Sequence, residues 1–308
     1  MKFAFLIQDP GFGGLASMHN RMEEALKDSG HHVDNFIVQK EDVINNVREG
    51  DYDVVHLYFT PFLNSKFFLR LLKFNILSDT QIFVNYYNIK PENLFRRTVK
   101  RTFLPLLCDK VILPSENMEE FYRDEIKISN TSTLRPIVED KFFDIESSND
   151  KIVHFGHARP DKGIDRLMYM ASEEHPVHCY FIQDDETVLK RFPEMKEKIG
   201  NGEIFLHEGL PEKALSEAKL AVFPYHNLEK TVDLPLALLE SLAAGIPVLT
   251  SDIRPLNEYL PDEFLVDNWN NTEPESGDKD CRHIAKKIGS DKESVISSYI
   301  NIIRDQSP

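Results

Sequence analysis

Cysteine is scarce in this chain: three in 308 residues, Cys108, Cys179 and Cys281. Their odd number and scatter exclude a disulfide framework and show no metal-ligand spacing, which suits a reducing cytosol. Long hydrophobic runs are missing too. None approaches the roughly 18 to 20 apolar residues of a membrane span, and Met1-Lys2 leads straight into a strand-length run, Phe3 to Ile7, with no signal pattern. The expectation is a cytoplasmic protein. Positive charge is in deficit, with 36 Lys and Arg against 51 Asp and Glu, so nucleic acid is not an expected partner. Repeats and low-complexity tracts are absent as well.

One window departs from that balance. Residues 64 to 110 hold nine Lys and Arg against three acids, a local +6 in a chain of net charge −15. Two stretches in it, "NSKFFLRLLKFNIL" and "NLFRRTVKRTFLPLL", mix those cations with Phe and Leu. That is the composition of an interfacial helix on anionic lipid, or of two core helices with solvated basic faces.

Elsewhere, short apolar runs alternate with longer amphipathic ones, the pattern of a parallel sheet with crossover helices. "KFAFLI", "HVDNFIV", "DVVHLYF", "QIFVNYY" and "CDKVILPS" read as strands. The apolar period lapses in "RPIVEDKFFDIESSNDK", a predicted linker, and restarts at "KIVHFG". The second series holds "VHCYFIQ", "EIFLHEG", "KLAVFPY" and "IPVLTS" as strands, with "ETVLKRFPEMKEKI" among its helices. The length accommodates two such domains, expected at 1–146 and 147–290, with 291–308 a final helix returning to the first. The predicted class is α/β: two Rossmann-like doubly wound parallel-sheet domains facing across a cleft.

Three stretches carry chemistry. "GFGGLA", Gly11 to Ala16, follows the first strand, and its glycines let backbone N–H groups approach an anion. "FGHARPDKG", Phe155 to Gly163, puts His157, Arg159 and Lys162 in one strand-to-helix loop, a candidate diphosphate cradle. In "VFPYHNLEKTVDLPLALLESLAAGIPVLTSD", Asp233 or Thr231 is placed to cap a helix, Pro235 suits its first turn and Gly245 ends it. Glu240 sits inside that nearly all-apolar helix, where Leu236, Ala237, Ala243 and Ala244 are its neighbours at helical spacing. None of the four can pair with a carboxylate, so its partner lies elsewhere: a distant cation, or the two hydroxyls of a ribose.

Together these segments resemble the GT-B glycosyltransferases of family 4 ("group 1"), which includes sucrose and lipid-sugar synthases. Where that family has Gly-Arg-x-x-Pro-Glu-Lys-Gly after a strand, this chain has Gly156-His157-Ala158-Arg159-Pro160-Asp161-Lys162-Gly163. Where the family has a Glu-x7-Glu pair leading into Ala-x-Ala-x-Gly-x-Pro-Val, Glu240 precedes Ser241-Leu242-Ala243-Ala244-Gly245-Ile246-Pro247-Val248.

The resemblance implies a sugar moved from a nucleoside-diphosphate donor to a hydroxyl acceptor (a glycan, a lipid-linked glycan or a small molecule), with retention and with no cofactor or metal. It further implies donor diphosphate on Lys162, with His157 and Arg159 beside it. Glu240 would take the ribose hydroxyls, and Gly13 and Gly14 would face the reacting centre.

Three positions depart from the family pattern. His157 stands where the family has its phosphate Arg. Val232 stands where the first Glu would contact the transferred sugar, with Asp233 and Glu229 nearby. Asn85-Tyr86-Tyr87-Asn88 stands where the family often has a His. Asp233 and Asn88 are therefore the candidate catalytic groups. Contact with the cytosolic face of an anionic membrane is expected through residues 64–110. The rival readings are a non-catalytic GT-B protein that binds nucleotide sugar or a partner chain, and a nicotinamide-dependent oxidoreductase built on "GFGGLA". The second rival lacks an acid at Val38-Gln39.

Overall fold

The computed structural model describes residues 1–7, 14–38, 43–58, 65–86, 94–148, 150–228, 232–269, 272 and 280–305. Its first elements are β1 (Lys2–Ile7), α1 (Gly14–Asp28), β2 (His32–Ile37), α2 (Val43–Glu49), β3 (Val54–Leu57) and α3 (Ser65–Leu77). Next come β4 (Gln81–Asn85), α4 (Leu94–Leu107), β5 (Lys110–Leu113), α5 (Glu116–Phe121) and β6 (Thr131–Thr133). A second series follows: α6 (Asp140–Phe143), β7 (Lys151–Gly156), α7 (Ile164–Met170), β8 (Val177–Phe181), α8 (Asp185–Arg191), α9 (Met195–Gly200) and β9 (Ile204–His207). It continues through α10 (Pro211–Ser216), β10 (Ala218–Phe223), α11 (Leu236–Ala243), β11 (Val248–Ser251), α12 (Leu256–Tyr259), β12 (Leu265–Val266) and α13 (Arg282–Ile288), and the chain ends in α14 (Lys292–Arg304).

Every strand pairing is parallel, in two six-stranded sheets ordered β2-β1-β3-β4-β5-β6 and β12-β11-β10-β7-β8-β9. Helices on both faces explain why the central strands read as unbroken apolar runs rather than alternating ones. Phe3 and Phe5 face one core with Leu26, Phe83 and Tyr299, while Ala4 and Leu6 face the other with Leu71, Leu104 and Tyr122.

The chain divides into two compact units, Met1–Ile137 with Lys292–Pro308, and Val138–Asp291. The first takes in α14, whose Tyr299 stacks on Phe3 and hydrogen-bonds through its hydroxyl to Nδ1 of the buried His56 at 2.8 Å. The expected boundary after residue 146 moves back to 137. Ile137 packs with Leu134 and Val295, whereas Val138 and Phe142 enter the second core beside Phe223 and Leu238. Acids and serines flank those apolar residues and mask them in the sequence.

Pro193 produces another difference. The single helix expected over "ETVLKRFPEMKEKI" is two, α8 and α9, since proline cannot donate to the helical ladder. Among the described residues no helix is long and apolar enough to cross a membrane.

Candidate functional site

In the second sheet β7 and β10 are neighbours although two strands, β8 and β9, separate them in sequence. Their shared edge is where the strand order reverses, the position at which doubly wound sheets bind ligands. Both chain segments leaving that edge carry candidate residues. Beyond β7 the chain runs from Gly156 through His157 and Arg159 into a short 3-10 helix, Pro160–Lys162, and then α7. Beyond β10 it runs through Pro224 and Tyr225.

Gly163 lets the two segments meet. Its φ is +72°, and a Cβ there would lie 1.7 Å from the carbonyl oxygen of Pro224, so only glycine fits. Arg166 on α7 ties the same turn down by donating to the Tyr225 carbonyl at 2.8 Å and to Ser251 Oγ at 3.0 Å. Trp269 Nε1 donates to that Oγ as well, at 3.0 Å.

Tyr225 is where the candidate charges meet. Its ring is buried, and Lys162 Nζ lies 4.6 Å from the ring centroid. Burial raises the phenol's pKa; Arg159 lowers it, while Asp161 and Glu240 raise it, so all three charges act on one hydroxyl. Lys162 is only 9 % exposed. Burial pushes its pKa down to about 8, with Arg159 adding to the fall and Asp161 opposing it. The Arg159 guanidinium donates to Asp161 at 2.7 Å, so that pair is formally neutral and Lys162 gives the loop its net positive charge.

His157 is not a cation here. Gln183 Nε2 donates to its Nδ1 at 3.0 Å, which leaves the neutral tautomer with the proton on Nε2. Burial, then Arg159 and Lys162, hold its pKa below the usual value. The expected three-cation cradle is corrected accordingly: His157 offers an N–H donor. Gln183 also accepts from the Ala158 N–H at 2.9 Å, and Arg191 donates to the Ala158 carbonyl at 2.7 Å. Sequence reading missed Gln183, Arg191, Arg166 and Asp161. Gln183 alone carried a signal, its place just past a strand of the same sheet.

Glu240 lies in α11 and is 4 % exposed. The helix starts later than expected: Pro235 is extended (ψ 130°) and is itself the N-cap, accepting from Leu238 and Leu239, with no side-chain cap. Asp233 is buried two residues ahead of it. At the other end Gly245 donates to Leu242 and Ile246 to Ser241, closing the helix one turn after Glu240. Gly14 is the first residue of α1, in the first unit. Gly13, Asn88 and Glu229 lie outside the described residues. Among the described residues no group of three or more His, Cys, Asp or Glu is placed to hold a metal ion.

The model of the family described as "Glycosyl transferases group 1" matches residues 138–273, a span that contains both loops and α11. The second unit carries a group 1 glycosyltransferase domain.

Solved structures with the same fold include HepE from Anabaena, determined in complex with UDP, at TM-score 0.66 and 13 % identity over 99 % of this chain and 95 % of that one. Sucrose-phosphate synthase from Thermosynechococcus elongatus aligns at TM-score 0.67 and 15 % identity, covering 99 % and 97 %. AviGT4, a glycosyltransferase involved in avilamycin A biosynthesis, aligns at 0.64 and 13 %, covering 98 % and 97 %. At such identities the likeness establishes the fold. No curated protein matches this glycosyltransferase significantly in sequence. The family match lies wholly outside "GFGGLA", so it lends nothing to a nicotinamide-dependent reading of that loop.

Proposed function

We propose that this glycosyltransferase moves a sugar from a nucleoside-diphosphate donor to a hydroxyl acceptor, with retention of configuration and without a metal. The observation that carries the donor site is Lys162 Nζ held 4.6 Å over the buried Tyr225 ring, with the buried Glu240 near enough to raise that tyrosine's pKa. The cation lies over that ring and the carboxylate acts on its hydroxyl. The ribose is assigned to Glu240 and the diphosphate to Lys162, with Arg159 and the Nε2–H of His157 as further donors. Negative charge builds on the leaving diphosphate in the transition state, and a preorganised cation in a poorly hydrated loop stabilises it strongly. That role lets protein groups serve where a metal ion otherwise would. HepE was solved with UDP and with UDP-glucose, which makes uridine donors the first to try.

Asp233, next to Val232, is the group we assign to the transferred sugar. Among acceptors, a lipid or lipid-linked glycan at the cytosolic membrane face is favoured by the basic, partly apolar surface of α3 and α4. A second reading, a nucleotide-sugar-binding protein without turnover, is favoured by the absence of an acid at Val232.

A thermal-shift panel of UDP, GDP, ADP, TDP and their sugars tests the donor site on wild type, Lys162→Ala and Glu240→Ala. A ligand at 100 times its Kd adds about 2.7 kcal/mol. One diphosphate should stabilise wild type, and Lys162→Ala should lose most of that gain. Equal responses in all three proteins would remove the site assignment. Diphosphate release in the presence of EDTA, with the product anomer read by NMR, separates turnover from binding alone.

A further inference from the structure

We propose that the outward stripe of α3, with the adjoining face of α4, docks on an anionic lipid bilayer. Neither helix contains an acidic residue, in a chain of net charge −15. In α3 the exposed residues Lys66, Leu69, Arg70, Lys73, Ile76 and Leu77 recur at spacings of three and four, which puts them on one helical stripe. Leu71 and Phe74 on the opposite side are buried in the core. The stripe therefore alternates cations with large apolar side chains that water surrounds: Leu69 is 62 % exposed, Ile76 71 % and Leu77 63 %.

The neighbouring helix extends the surface. Phe68 meets Phe103 edge to face at 5.4 Å, and Asn75 donates to the Leu106 carbonyl at 3.1 Å. These contacts bring the exposed Phe103 and Leu106 alongside the α3 stripe. Half of the exposed large hydrophobic residues in the described chain sit on these two helices. Apolar side chains that enter the acyl boundary, ringed by cations that meet headgroup phosphates, match an anionic bilayer on both counts. A protein partner of opposite charge would satisfy the cations but leave this many isolated leucine and isoleucine side chains without a specific pocket.

The inference deepens the lipid-acceptor reading and rests on it for its purpose, while donor binding is independent of it. The test is flotation of the full chain with phosphatidylcholine vesicles, with or without phosphatidylglycerol, alongside the diphosphate thermal shift. Wild type should float with the anionic vesicles alone and lose binding in about 1 M salt, where screening is nearly complete. Each cation near such a surface contributes about fivefold in partitioning, so Arg70→Glu with Lys73→Glu should weaken it at least about 25-fold. Leu69→Ser with Ile76→Ser should weaken it while leaving the thermal shift intact, which also reports that the variant folds.

Equal recovery with neutral vesicles, or none with either, would overturn the docking surface. So would a dimer in sedimentation that Ile76→Ser converts to monomer, since that assigns the face to a second copy. In wild type, failure to float alongside a normal diphosphate shift refutes the surface alone. A lost shift with preserved flotation refutes the donor site alone.

Discussion

Raising the pH should release the donor from this enzyme by discharging Lys162. The ordinary lysine value of 10.5 is lowered to about 8, first by burial and then by the Arg159 charge. At pH 7 about nine-tenths of the molecules then carry the charge before ligand arrives, and at pH 9 about one-tenth do. A diphosphate beside Nζ favours the charged form and restores its proton affinity. Binding above pH 8 therefore takes up a proton, and apparent affinity should fall about tenfold from pH 7 to 9, or about 1.4 kcal/mol.

The unliganded protein responds in the opposite sense. Between pH 8 and 10.5 the unfolded chain holds more protons at this lysine than the folded one, so its contribution to folding stability rises with pH, by at most about 3 kcal/mol. Isothermal titration calorimetry at pH 7, 8 and 9, in two buffers of different ionisation heat, reads both affinity and proton uptake. Lys162→Arg keeps its charge throughout and should give a flat profile. Constant affinity for wild type without proton uptake, or the same slope in Lys162→Arg, would refute the reasoning.

Two further outcomes follow from packing. Gly163→Ala meets both a φ of +72° and the Pro224 carbonyl, and should cost about 3 kcal/mol in urea unfolding. Gly30→Ala, at φ +81° with open space around the new methyl, should cost only about 1 kcal/mol, and equal losses would deny the close approach. Tyr299→Phe strips the hydroxyl from Nδ1 of the fully buried His56, whose pKa burial already holds down at about 3. A loss of about 1 to 3 kcal/mol is expected, and a change below about 0.5 kcal/mol would show that this contact does not anchor α14.

Much of the architecture was legible in one dimension because parallel strands covered on both faces must be apolar at successive positions. "KFAFLI" and "KIVHFG" announce β1 and β7 for that reason. Glu240 was legible by contrast, as a lone acid in an apolar helix. The apolar residues of 137–143 were not, since no pattern says which of two cores receives Ile137 and which receives Phe142. The late start of α11 was hidden too, because Asp233 is a good capping residue by type and the extended Pro235 takes that place.

Local order along the chain determined which segments become strands and helices and which loops carry cations, since those follow from side-chain period and type over a few residues. The tertiary structure alone decided the charge states and the convergence. Gln183, just past β8, makes His157 a neutral donor, and burial depresses Lys162. Sheet order brings the loops after β7 and β10 together at Tyr225. Protonation depends on the dielectric and the charges within a few ångströms, and in a crossover fold those neighbours come from strands far apart in sequence.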